Sequence, residues 1–370
     1  MSDWPLGRWP IFPHPKEDEL FSSWIERLAI ANGTKANLLL TRVGLLSKGK
    51  SLRRIDNIST PNMLTTLAQR TGSNLAVLWG TTATEYHQHL SIGSTKRPRH
   101  LLLLGLEAFK NERYFLQFCP LCLQESSYYR RLWRMSCVVA CPTHGVALHD
   151  KCAECQAPVN VFGNDEKNKA DAYDGSLSRC WQCGVDQKDA PVELVDERLT
   201  SFCRNISEAV RFSQIALPGD RWCYLGSYLH IIRQLGHALL QAQRSRYDGL
   251  INDLDVLPLI VRLEIMEEVA EALSLVPESF ERVCTRWGIT PYMLKTMERK
   301  SGLILHWFDE SCLWPISPKF NVVTHAQISS AVRLMREKGL KVNCYSVNRF
   351  MGLNESPAVS QFFGHSKLKD

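Results

Sequence analysis

Four short pairs of metal-type ligands stand in a row between Cys119 and Cys183: Cys119-Pro-Leu-Cys122, Cys141-Pro-Thr-His144, Cys152-Ala-Glu-Cys155 and Cys180-Trp-Gln-Cys183. Each pair leaves two residues between its ligands. That gap lets one tight turn aim two donors at one ion, and two such turns complete a tetrahedral zinc shell. Eight ligands make two closed shells, most simply one of three cysteines and a histidine and one of four cysteines. The expected cofactor is therefore Zn2+, two per chain, in a structural role. A closed shell leaves no position for water or substrate. Disulfides or free core cysteines do not account for seven of the thirteen cysteines, with one histidine, pairing at the same gap. Spacing alone permits sequential or crossed pairing. Sequential pairing is favoured because it gives two compact units with loops of 18 and 24 residues.

The totals set the frame for these shells. A chain of 370 residues that is 45% hydrophobic has material for two or three domains. The start, Met1-Ser2-Asp3-Trp4-Pro5, lacks a basic-then-apolar leader. The longest apolar runs are too short to span a bilayer. A reducing, cytoplasmic setting with metal-held thiolates is the expectation. The net charge of +6 permits contact with nucleic acid without requiring it. The expected fold is mainly α, in three parts. Residues 1–114 form an N-terminal helical domain with a helix-turn-helix-like hairpin. Residues 115–190 form a tandem zinc-ribbon or zinc-knuckle domain. Residues 191–370 form a C-terminal helical domain with helix-turn-helix candidates.

The proline-rich entry, residues 1–16, carries Trp4, Trp9, Ile11 and Phe12. These aromatics either pack on their own domain or dock on a partner, with Trp4, Trp9 and Phe12 as the partner-binding candidates. Apolar residues at helical spacing predict a helix from about Asp18 to Asn32, stopped by Gly33. A second helix is expected around Lys35 to Leu46. Residues 61–86 read as a helix-turn-helix or a plain helical hairpin. Pro61 opens it, Leu64, Leu67 and Ala68 face inward, Gly72 makes the turn, and Leu75 and Leu78 face back.

Gly44 to Ser51 matches the G-x-x-x-x-G-K-S pattern of a phosphate loop, which would make the chain an NTPase. A working loop follows a buried strand and opens a long helix in a sheet of βαβ units, and none is legible around it. The match reads as coincidence, and no other catalytic set stands out. Arg42, Lys48, Lys50, Arg53 and Arg54 read better as a basic surface loop.

Residues 96–134 hold eight Lys/Arg against three Glu, with Tyr128, Tyr129 and Trp133 between the arginines. Such a run suits a surface that grips phosphates, or a packed hairpin whose arginines are merely solvated. Arg130, Arg131 and Arg134, with Arg53 and Arg54, are the nucleic-acid-binding candidates. Cys137 and His149 are rival metal ligands, but Cys137 lies in an apolar run and His149 has no partner at knuckle spacing. Helical spacing recurs over Glu197–Gln214, Leu225–Gln243 and Leu259–Leu273. Two further helix-turn-helix candidates follow. One comprises Phe280–Arg286 and Tyr292–Lys300. The other comprises Ala326–Lys338, Tyr345–Met351 and Ser356–Phe363, whose last helix has no Lys or Arg for base reading.

The wording around these motifs resembles the TniQ family. The resemblance is carried by the Pro-rich entry, by Asp18-Glu-Leu-Phe-Ser-Ser-Trp-Ile-Glu-Arg-Leu-Ala29, and by Gln117-Phe-Cys-Pro-Leu-Cys122. Tyr129-Arg-Arg-Leu-Trp-Arg134, Cys141-Pro-Thr-His-Gly145 and Cys152-Ala-Glu-Cys155 continue it. It covers roughly residues 5–190. It implies a non-catalytic target-selection protein of a heteromeric transposon. Such a protein binds target DNA, or a DNA-bound complex such as CRISPR Cascade with its guide RNA, and recruits an AAA+ ATPase regulator. A second copy of the chain is a further candidate partner, and a membrane is not expected. A zinc-containing transcription regulator is the competing reading.

Overall fold

The helix α1 (Phe21–Ala31) is the centre of the N-terminal part. It starts later than its apolar pattern suggested, because Asp18 takes a left-handed φ of 52° and Glu19 pairs with Arg130 in an isolated bridge. Phe21, Trp24, Ile25, Leu28 and Ala29 are buried together with Leu39 and Leu40 of α2 (Ala36–Arg42). Ile55 of α3 (Ile55–Ile58), Met63, Leu64 and Leu67 of α4 (Pro61–Thr71) and Leu78 of α5 (Leu75–Trp79) complete the layer. Each such side chain contributes about 1.5–3 kcal/mol by leaving water.

The structure is a computed structural model that describes residues 7–46, 52, 55–58, 61–83, 100–102, 116–162, 176–217, 221–247, 253–289, 293–294, 323–351, 353 and 356–366. The chain separates into two compact units. The first comprises residues 1–86, 102–138 and 146–194, and the second comprises 87–101, 139–145 and 195–370. The mainly helical fold expected from the sequence is the one observed.

In the first unit the hairpin α4–α5 turns at Gly72, whose φ of +68° a side chain would resist. A Cβ there would also stand 2.8 Å from the Arg8 guanidinium carbon. Leu64, Leu67 and Leu78 face inward as expected, but Leu75 is exposed. The entry segment is strapped to α1 and α4. Trp9 N–H donates to Arg70 O (2.8 Å), the Trp24 indole to Pro13 O (2.8 Å) and the Arg27 guanidinium to His14 O (2.8 Å). Gly44, the first residue of the phosphate-loop pattern, has a φ of +72° directly after α2, and Leu45 N–H returns to Leu40 O. It is the stop of a helix, where a phosphate loop would follow a strand. Residues 47–51 of that pattern lie outside the described residues.

The second unit is built on α7 (Glu197–Phe212), α8 (Leu225–Ala242), α9 (Leu259–Ala272) and α10 (Glu278–Trp287). α9 packs on the other three. Between α7 and α8 runs a hairpin absent from the sequence reading, β1 (Gln214–Leu217) antiparallel to β2 (Arg221–Tyr224), with Ala216 opposite Trp222. Ser213 turns left-handed (φ 55°) and ends α7 two residues before the expected Gln214. The unit closes with α11 (His325–Glu337), α12 (Cys344–Phe350) and α13 (Pro357–Ser366), three mutually packed helices. Capping boxes at Thr324 and Asn343 set the starts of α11 and α12. Most of the expected helix Tyr292–Lys300 lies outside the described residues.

Candidate metal centres and the arginine run

The eight knuckle ligands form two groups, Cys119, Cys122, Cys141 and His144, and Cys152, Cys155, Cys180 and Cys183. Within each group the ligand atoms lie within 4.8 Å of one another. The grouping is the sequential one.

Local structure explains how each knuckle turns. In the first, Cys119 is the N-cap of α6 (Pro120–Glu125), and Pro120 starts that helix without forfeiting a needed N–H. The other three share one device: the residue after the second ligand is left-handed. Gly145 (φ +63°), Gln156 (φ 59°) and Gly184 (φ +81°) each donate their N–H back to the first ligand's carbonyl, at 2.9, 3.1 and 2.9 Å. The two knuckles of the second group are near copies. Isolated bridges Lys151–Pro158 and Arg179–Asp186 flank them, and the Trp181 indole donates to Pro158 O (2.8 Å).

The donor sets fit zinc. A tetrahedral ion with Zn–S of about 2.3 Å separates its sulfurs by about 3.8 Å. The sulfurs of Cys152 and Cys183 are 3.7 Å apart, and those of Cys155 and Cys180 are 3.6 Å apart. A disulfide would need about 2.05 Å. Cys141 Sγ and His144 Nδ1 stand 3.4 Å apart. The Val185 amide helps pull the Cys183 thiol down to about 7, whereas burial pushes Cys180 up to about 12. A divalent cation is the partner that ionises all four together. Cys137 is buried outside both groups. His149 is also outside them. Its ring stacks on Phe118 at 5.2 Å and donates Nε2–H to Pro191 O at 2.8 Å.

The arginine run between the first two knuckles is mostly turned inward. Arg134 is 1% exposed. Its guanidinium donates to Leu102 O (2.6 Å) and lies 3.5 Å from Asp56 of α3. Asp56 also accepts Ser22 N–H (2.7 Å) and the Ser22 hydroxyl (3.0 Å) at the start of α1. Burial pushes Arg134 down to about 10 and Asp56 upward, each partner partly offsetting the shift of the other. A guanidinium held this way does not reach a phosphate, which corrects its reading as a nucleic-acid contact. Arg131 pairs with Asp18 at 3.2 Å. Arg130 is half-buried and stacks over the rings of Tyr128 (4.8 Å) and Trp133 (5.0 Å). One of its terminal nitrogens is buried without a hydrogen-bond partner. Lys16 Nζ approaches the same Tyr128 ring at 5.0 Å.

The buried contacts of two polar side chains, Gln117 and Tyr129, are not legible in the sequence. The buried Gln117 amide donates to Val138 O at 2.9 Å, and Trp133 O and Met135 O lie at 3.2 and 3.3 Å. The buried Tyr129 hydroxyl donates to Gln187 Oε1 at 2.6 Å. Of the partner-binding candidates, Trp9 is buried in the α1 core and Phe12 packs against it, so both rings serve the chain's own fold. Trp4, Arg53 and Arg54 lie outside the described residues.

The TniQ family model matches residues 10–148. No curated protein matches the chain. The matched span takes in α1 to α6, the arginine run and the whole first ligand group, and it ends before Cys152.

Proposed function

From the premise that residues 10–148 are a TniQ domain, we propose that this chain is a non-catalytic target-selection adaptor in transposition. It engages target DNA, or a complex already on DNA such as a guide-RNA-bearing CRISPR Cascade, and recruits an AAA+ ATPase regulator. Two structural zincs hold its middle. The observation that carries this reading is the family match lying over a closed four-ligand group. A saturated shell builds a platform and leaves chemistry to other subunits. The family's DNA-related work agrees with that division of labour.

Within this role the arginine run divides. Arg134 and Arg131 brace the platform from inside. Contact with a phosphate or an acidic partner falls to the exposed part of the half-buried Arg130 and to Arg53 and Arg54. No helix among the described residues is long and apolar enough to cross a membrane.

Co-purification with a candidate AAA+ transposition regulator tests the proposal. Stable capture, with no nucleotide hydrolysis by the adaptor alone, is expected. Tight binding to one DNA site with no capture of the ATPase would favour a plain zinc transcription regulator instead.

A further inference from the structure

The second unit carries a surface that the adaptor reading does not use. Residues 323–351 hold five Lys/Arg and a single carboxylate, Glu337. Arg333, Arg336, Lys338, Lys341 and Arg349 are all exposed. Glu337 is engaged by Arg333 at 3.9 Å, one turn earlier. The cations are interleaved with exposed apolar rings. Tyr345 is 67% exposed and Trp222 of β2 is 46% exposed, with Leu340 exposed on the connection between α11 and α12. Lys338 Nζ lies 4.2 Å over the Trp222 ring, and Arg349 donates to the Tyr345 hydroxyl at 3.5 Å. Lys338 thus joins the end of α11 to strand β2, and the Ser346 hydroxyl, next to Tyr345, donates to Lys341 O at 2.7 Å, which ties the start of α12 to the same basic connection.

The frame under this face is fixed. α12 packs on β2, and the Ser227 hydroxyl at the start of α8 donates to Met351 O just past α12. The Asn348 side chain accepts Ser356 N–H at 3.0 Å. Exposed large rings beside an excess of exposed cations suit one kind of ligand. A single-stranded nucleic acid offers phosphates to the cations and unpaired bases to the rings. A duplex keeps its bases stacked on one another and away from an exposed ring. An acidic peptide would satisfy the charge but leave Tyr345 without a role.

We propose that the α11–α12–β2 face binds a single-stranded nucleic acid, with Arg336, Lys338 and Lys341 on phosphates and Tyr345 under a base. The site is independent of the TniQ match and of Arg130.

Fluorescence anisotropy of the full chain with labelled oligothymidine, oligouridine and a duplex of equal length tests this, across a salt series and with polyglutamate as competitor. The Arg336→Ala/Lys338→Ala/Lys341→Ala variant should lose about tenfold or more in single-strand affinity. Its slope of log K against log salt should fall by about 2, since each phosphate contact contributes about 0.7 on single strands. Tyr345→Ala should weaken single-strand binding roughly tenfold and leave duplex binding unchanged. These side chains are exposed, so an unchanged thermal melt confirms that the variants fold. Binding of oligothymidine or oligouridine well above the duplex supports the site. Three outcomes would overturn it: an unaltered slope in the triple variant, a Tyr345→Ala variant that binds normally, or polyglutamate displacing the strand at equal charge concentration. Capture of the ATPase regulator by the same variants stays intact if only this inference fails, which separates it from a failure of the adaptor role.

Discussion

The two ligand groups differ in one donor, a histidine against a fourth cysteine, and in how many of their ligands are buried. Cys119, Cys122 and Cys141 are each at most 2% exposed, His144 is only partly exposed, and the TniQ match covers all four. In the second group Cys183 is exposed and Cys155 is partly so, and the match stops short of it. Among the described residues a small apolar cluster accompanies it, in which Cys152, Ala157 and Cys180 are buried and Cys155 and Trp181 pack against them. A metal under the core is part of what folds the domain. A metal in a pair of surface knuckles folds little beyond itself.

That difference ranks the mutations. The largest effect belongs to Cys122→Ser. Structural zinc contributes about 10–16 kcal/mol of apparent binding energy in finger peptides. A domain's net stability is about 5–15 kcal/mol. Loss of the first shell should therefore abolish soluble folded protein, read by yield and thermal melt. Cys183→Ser should release one zinc and loosen residues 152–186 while the main melt persists. Equal collapse of both variants would erase the distinction between the two groups.

The next effect is the Asp56→Ala substitution. It leaves Arg134 buried without its carboxylate and frees the Ser22 contacts, at a cost of about 3–5 kcal/mol in denaturant unfolding. Arg130→Ala removes only two partly exposed ring contacts, at about 0.5–1 kcal/mol each. A comparable loss from both substitutions would mean that the arginine run is uniformly structural. Tyr129→Phe falls between them at about 1–3 kcal/mol, because Gln187 Oε1 is left buried without its donor.

The ligand groups were legible because a two-residue gap is dictated by turn geometry and needs nothing distant. The helices α1, α7, α8 and α9 were legible for a similar reason, since their apolar spacing repeats over three turns or more. The inward arginines were not. Sequence shows that Arg134 is charged, but Asp56 lies 78 residues away in a four-residue helix with no signature. The same holds for Tyr129 and Gln187, 58 residues apart. The β1–β2 hairpin escaped because its strands are four residues long and sit between two helical patterns. One missed signal was available. Glycine directly after the second ligand, at Gly145 and Gly184, marks the left-handed residue that closes a knuckle.

The central claim, two closed zinc shells of unequal burial, is tested most directly by timed chelator challenge of the purified chain. Zinc release would be followed by an indicator dye and packing by near-ultraviolet circular dichroism. About two zincs per chain are expected, leaving in two phases. The first equivalent, from Cys152, Cys155, Cys180 and Cys183, should leave with the aromatic signal almost intact, and the second only as that signal collapses. A single phase with immediate collapse, or folded protein with no zinc, would contradict it.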